Sequence, residues 1–91
     1  MGIIRQISQV MLQEGGMNLK IVGHTDADGN DAANLELSRK RAEAVKNALT
    51  SIYNIPSERL SSEGKGESEP ISDNNTSDGK ALNRRVEFIK T

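Results

Sequence analysis

The sequence predicts an α+β fold: a two-layer sandwich with helices on one face of a small mixed sheet, in the order α-β-α-β-β. Three observations carry that expectation. Apolar residues at Ile3, Ile4, Ile7, Val10 and Met11 recur at helical spacing. Asn18 to Gly23 is a short apolar stretch that leads into a polar turn and then a long amphipathic segment. Arg84 to Lys90 closes the chain as an alternating strand.

The first helix spans residues 3–13, and Gly15-Gly16 ends it. In residues 18–23, Leu19 and Ile21 alternate with Asn18 and Lys20, while Val22 adds an apolar residue to the second face. Burial on both faces suits a central strand. His24 to Asp31 is a turn cluster. Asn30 or Asp31 then caps a helix that runs to about Tyr53. Its apolar stripe is Leu35, Ser38, Ala42, Val45, Leu49 and Ile52. Arg41 lies on the shoulder of that stripe, where an arginine either snorkels or has an acidic partner. Residues 54–58 connect, with Pro56 in a tight turn or at a first helical position. Residues 59–64 read as a weak strand, and residues 67–83 as one long polar loop. In the last strand Val86, Phe88 and Lys90 share a face. Alternation puts Arg84 and Arg85 on opposite faces, so at most one is expected to share a site with Asp26 and Arg41.

Ninety-one residues make one domain, 1–91, with a modest core. The formal net charge is −1, from 12 Lys and Arg against 13 Asp and Glu. Nucleic acid is therefore not an expected partner, because such affinity comes mainly from phosphate neutralisation. One Tyr and one Phe provide no base-stacking platform. With no cysteine there is no disulfide, thiolate metal site or thiol nucleophile. No apolar run approaches the roughly 18 residues of a membrane span. Arg5 and Gln6 interrupt the apolar start, so it does not read as a signal peptide.

Asp26, at the C-terminal end of a central strand beside a helix start, stands where ligands often collect in α/β sheets. A turn residue bonding its own backbone is the plainer reading of an aspartate there. An acid at 26 and a base at 41 suit a ligand carrying both charges. Asp26-x-Asp28-x-Asn30 hints at a calcium loop, but the sixth and twelfth positions, Asp31 and Leu37, fail the pattern. The run from Asp73 to Asp78 fails likewise, with Arg84 at its twelfth position. His24 is the only histidine, which leaves too few ligands for zinc and favours a structural role. No serine sits in a nucleophile elbow, and Gly64-x-Gly66 and Gly79-Lys80 lack the rest of any nucleotide-binding pattern. No metal or cofactor is expected.

Four spaced motifs then coincide. They are Gly23-His24-Thr25-Asp26; Asn34-x-x-Leu37-Ser38-x-x-Arg41-Ala42-x-x-Val45-x-x-x-Leu49; Gly64-Lys65-Gly66-Glu67-x-x-Pro70; and Asn83-Arg84-Arg85-Val86-Glu87. From about residue 3 to residue 91 the chain resembles the OmpA-like C-terminal peptidoglycan-binding domain. That family includes peptidoglycan-associated lipoproteins and flagellar-motor stator proteins. The resemblance implies a non-catalytic periplasmic module of a Gram-negative envelope protein, anchored non-covalently to the cell wall through the diaminopimelate residue of the stem peptide. It carries the ligand roles onto Asp26, Asn34, Arg41 and Arg84, with Thr25 and Leu37 in support. Asp26 would accept from the distal ammonium, and Arg41 would pair with the distal carboxylate. A lysine-type stem peptide lacks that carboxylate and is disfavoured by about 1–3 kcal/mol. The family usually begins with a strand before the first helix. The chain is thus expected to be truncated at its N-terminus, with one sheet edge exposed or filled by a partner. The rival readings are a structural or oligomerisation domain of the envelope and a small cell-wall hydrolase; a homo-oligomer through the parent protein is compatible with the first reading.

Overall fold

The computed structural model describes residues 2–91, and side-chain surroundings from Ile4 onward. The expected contribution of Ile3 to the first helix face lies outside the described side chains. The elements are α1 (Gly2–Gln13), β1 (Leu19–His24), α2 (Asp31–Ser51), a 3₁₀ turn (Ser57–Arg59), β2 (Leu60–Gly66), α3 (Ser77–Asn83) and β3 (Val86–Lys90).

The sheet order is β2-β1-β3, so β1 is central, as its two-faced apolar pattern requires. It pairs parallel with β2 from Leu19↔Leu60 onward, and antiparallel with β3, where Ile21 faces Phe88. The parallel pair needs a crossover, and α2 supplies it. Leu19 and Ile21 point into the layer between sheet and helices. There they meet Ile4 and Met11 of α1, Ala42 and Leu49 of α2, and Met17, Ile55 and Leu60. The other sheet face carries the ion pairs Lys20 Nζ to Glu63 Oε2 at 2.7 Å and Lys65 Nζ to Glu63 Oε1 at 2.6 Å, and a hydrogen bond between His24 Nε2 and Glu87 Oε1 at 2.6 Å. Val22 stands in register between Glu63 and Glu87 and is buried there. His24 is thus a buried tie between β1 and β3, the structural role expected of a lone histidine.

The α2 layer lies close on the sheet. A Cβ on Gly23 would stand 2.1 Å from the Ser38 carbonyl oxygen, and one on Gly64 would stand 2.4 Å from the Arg39 backbone nitrogen. Only residues without a Cβ permit that approach. Ser38 welds the contact: its Oγ donates to Leu35 O at 2.8 Å and accepts from Gly66 N at 2.9 Å. Ser38→Ala leaves the buried Gly66 N–H without its acceptor. We expect a loss of about 1–3 kcal/mol, read from urea unfolding.

Three expectations are corrected. The apolar stripe of α2 is buried only in its middle, at Ser38, Ala42 and Leu49; Leu35 is 51% exposed and Ile52 65%. Leu35 overhangs the end of β2 at Gly66, and Ile52 is the C-cap. The chain turns at Asn54, with φ 58°, and brings Ile55 into the core in place of Ile52. Second, residues 67–83 are not one loop, because residues 77–83 form α3. Thr76 caps it, its hydroxyl accepting from Gly79 N at 3.0 Å. Third, β2 extends two residues beyond the expected strand, to Gly66.

Arg59 serves a purpose its sequence position did not announce. Its guanidinium donates to Met11 O, Glu14 O and Met17 O at 2.8, 2.7 and 3.0 Å. It thereby satisfies carbonyls at and just beyond the C-terminus of α1, which lack helical partners.

Candidate ligand-binding site

Hydrogen bonds tie the turn between β1 and α2 to itself and to its neighbours. Thr25 N donates to Gly66 O at 2.8 Å, and the Thr25 hydroxyl donates to Asp26 O at 2.9 Å. Asp26 Oδ1 accepts from Asp28 N at 3.0 Å, the self-bonding turn that aspartate favours. Gly29 takes φ 85°, and Asn30 caps α2 by accepting from Ala33 N at 3.1 Å. Asn34 reaches back from the first turn of α2, its Nδ2 donating to Asp28 O at 2.8 Å and to Asp26 O at 3.4 Å. Asn34 therefore braces the turn that presents Asp26.

Asp26 is 8% exposed, and its Oδ2 accepts from Arg84 Nη1 at 2.6 Å. The Arg84 bond, with the Asp28 N–H behind it, holds the Asp26 carboxyl below its ordinary value of 3.8. Lys80 adds a positive charge nearby, its Nζ lying 3.1 Å from Asp28 Oδ2. One Arg84 N–H is engaged by Asp26, and a guanidinium has five.

Beside this pair opens a cleft of about 360 Å³, lined by Arg41, Arg84, Arg85 and Val86. Arg41 is exposed and, among the described residues, has no acidic or carbonyl partner. Of the two arrangements expected for an arginine on that shoulder, the acidic partner is absent among the described residues, and the charged head is left to solvent in the cleft. Arg85 contributes to the wall of the same cleft, but of the two arginines only Arg84 bonds Asp26. Arg85 continues the pairing with β1, His24 N donating to its carbonyl at 2.8 Å, and its side chain lies beside that of Glu87. Arg85 is anchored, with Nη2 donating to Glu69 O at 3.0 Å and Nε lying 3.5 Å from Glu87 Oε2. Burial works against the Glu87 charge. The bond from His24 and the charge of Arg85 outweigh it and hold that carboxyl below 4.5.

The structure thus joins Asp26, Asn34 and Arg84 by direct bonds and sets Arg84 with Arg41 in one cleft. Leu37 is exposed one turn before Arg41, and Thr25 is buried under the turn. Sequence reasoning missed Arg85 and Val86 as lining residues, although both stood in the Asn83–Glu87 motif. It also missed Asn74, whose Oδ1 accepts from Ala27 N at 3.2 Å.

A family profile described as the OmpA family matches residues 1–84. The chain belongs to the OmpA family. The outer membrane porin F of Pseudomonas aeruginosa is 42% identical over 84 residues, covering 92% of this chain and 24% of the porin. This OmpA-family chain therefore spans about a quarter of that relative's length. The peptidoglycan-associated lipoprotein of Burkholderia pseudomallei superposes with a TM-score of 0.92 at 28% identity, covering 99% of this chain and 75% of its own. The cell wall anchor of the T6SS from Pseudomonas aeruginosa superposes with a TM-score of 0.81 at 26% identity, covering 96% and 62%. The three-helix, three-strand mixed architecture is that of these OmpA-family neighbours.

The depressed carboxylates set the acid stability of the fold. Asp26, Glu36, Glu63 and Glu87 all sit below their ordinary values, Glu63 at about 2 because Lys20 and Lys65 both bond it. A carboxylate with a lowered folded pKa stabilises above its unfolded value, and that contribution is lost as pH falls through the folded one. Thermal unfolding monitored by circular dichroism should show a midpoint nearly constant from about pH 8 to 5 that falls steadily from about pH 4 towards 2.

Proposed function

We propose that the chain binds peptidoglycan without covalent bonds, through the diaminopimelate residue of the stem peptide, and so tethers an envelope protein to the cell wall on the periplasmic side of a Gram-negative outer membrane. The observation that carries this reading is the Arg41 guanidinium, without an acidic partner among the described residues, lining the same cleft as an Arg84 already bonded to Asp26. The distal end of diaminopimelate is a zwitterion. Its carboxylate suits Arg41 and the free edge of Arg84, which offer planar, bidentate donors. Its ammonium suits Asp26, whose carboxylate has acceptor sites beyond those taken by Arg84 and the Asp28 N–H. Asn34 holds the turn in place for both contacts. The porin, lipoprotein and cell wall anchor named above support the same placement of this chain in the envelope. We assign no catalytic step, because His24 is buried against Glu87 on the sheet's outer face and, among the described residues, no serine hydroxyl bonds it.

Co-sedimentation with purified diaminopimelate-type sacculi tests the reading. The wild-type chain is expected to pellet, and Asp26→Asn, which keeps the shape and removes the charge, is expected to stay largely in the supernatant. Equal pelleting of the two rejects the site. Release of soluble muropeptides identifies a hydrolase instead.

A further inference from the structure

We infer that Asn83 is the positioning residue of this site: its amide presets Arg84 against Asp26 by clamping the crossover segment that both depend on. The inference rests on the binding reading above and deepens it. Asn83 ends α3, is fully buried, and uses its whole bonding capacity. Its Oδ1 accepts from Ile71 N at 2.8 Å and Ser72 N at 3.0 Å. Its Nδ2 donates to Ser72 O at 3.1 Å and to Asn74 Oδ1 at 2.9 Å. Asn74 Oδ1 also accepts from Ala27 N, the residue after Asp26. Arg84, the residue after Asn83, donates back to Asp26 Oδ2. The contacts close a ring: Asp26, Ala27, Asn74, Asn83, Arg84 and Asp26 again.

The ring matters because the two halves of the site come from distant parts of the chain. Asp26 lies on the β1–α2 turn and Arg84 just ahead of β3, and the irregular segment 67–76 runs between β2 and α3. A segment of that kind has no ladder of its own to fix it. The Asn83 amide provides four bonds in place of a ladder. Aspartate in its place keeps the size and both acceptors but turns the donor side into an acceptor. That acceptor then faces Ser72 O and Asn74 Oδ1, and a buried carboxylate is created without a cation of its own.

The test uses Asn83→Asp and the milder Asn74→Ala, which cuts the link to Ala27 while sparing three of the four Asn83 bonds. Free meso-diaminopimelate is the probe, titrated by amide chemical shift. Without ligand, amide exchange at Ala27 and the Arg84 Nε–H resonance report the preset geometry. Asn74→Ala is expected to keep the wild-type fold, speed exchange at Ala27, shift the Arg84 resonance, and raise the Kd by about three- to tenfold, the weight of one neutral hydrogen bond. Asn83→Asp is expected to do more in each respect. Unchanged Ala27 and Arg84 signals in Asn74→Ala overturn the inference, as do altered signals with an unchanged Kd, which make the clamp merely structural. Arg41→Ala separates the two readings. If wild type and Arg41→Ala bind the probe alike, the site reading fails by itself, and the ligand-free signals then decide the preset geometry alone.

Discussion

Arg41→Ala is expected to weaken binding of meso-diaminopimelate by about 10- to 100-fold while leaving the unfolding midpoint within a few degrees of wild type. The magnitude follows from a hydrogen-bonded charge pair, about 1.5–3 kcal/mol, at about 1.4 kcal/mol per factor of ten. The small stability effect follows from the exposed position of Arg41 and its want of an acidic partner among the described residues. Lysine as ligand gives the decisive comparison, since it keeps the distal ammonium and lacks the distal carboxylate. Wild type should bind lysine about as weakly as Arg41→Ala binds diaminopimelate. Arg41→Ala should lose little further when the ligand changes to lysine, because the two deletions remove the same contact. A thermodynamic cycle over two proteins and two ligands measures that coupling directly. If the variant loses equal affinity for both ligands, Arg41 contributes only general positive potential, and the distal carboxylate is read elsewhere, with Arg84 the next candidate. Arg41→Lys should fall between, since an ammonium keeps the charge and gives up the bidentate fork.

How much of this was legible in the sequence depends on the kind of signal. The central position of β1 was readable because burial on both faces writes apolar residues onto both, at Leu19, Ile21 and Val22. The helix of residues 31–51 was readable from its period and its Asn30 cap. The small residues of its stripe, Ser38 and Ala42, also carried information about distance, since they lie where the helix approaches the glycines of the strands. Helix α3 was not readable. Seven residues with a glycine and two apolar side chains establish no period, and only the Thr76 cap marked it. Asp26, Arg41 and Arg84 were nameable from the motif series, but the bond between Asp26 and Arg84 was not, because it joins residues 58 positions apart. Alternation separated Arg84 from Arg85 usefully, for Arg84 bonds Asp26 while Arg85 lies with Glu87 and Glu69. Asn83 and Asn74 fell within the stretch read as one polar loop, because a buried amide network has no pattern in one dimension.

Gly23→Ala is expected to produce a large stability loss for a single-methyl change. The added Cβ would stand 2.1 Å from the Ser38 carbonyl oxygen and 2.9 Å from its carbon, and both are backbone atoms that cannot swing aside. Relief requires α2 to move off β1, which strains the Ser38–Gly66 bond and opens the layer around Ala42. Overpacking of this kind costs about 3 kcal/mol or more, out of a total of about 5–15 for a small domain. In a chain of this size that corresponds to a fall in unfolding midpoint of about 10–25 °C. Gly16→Ala is the control, because a Cβ there meets nothing within 4 Å and should change the midpoint little. The same displacement should reach the ligand site, for Arg41 lies on α2 one turn beyond Ser38 while Arg84 is held by the β1–α2 turn and segment 67–83. At a temperature where Gly23→Ala is still folded, its affinity for diaminopimelate should therefore fall too, although residue 23 touches no ligand. An affinity equal to wild type in the folded variant would mean that α2 yields locally around Ser38, and that the spacing of Arg41 from Arg84 is fixed by contacts other than the helix–sheet approach.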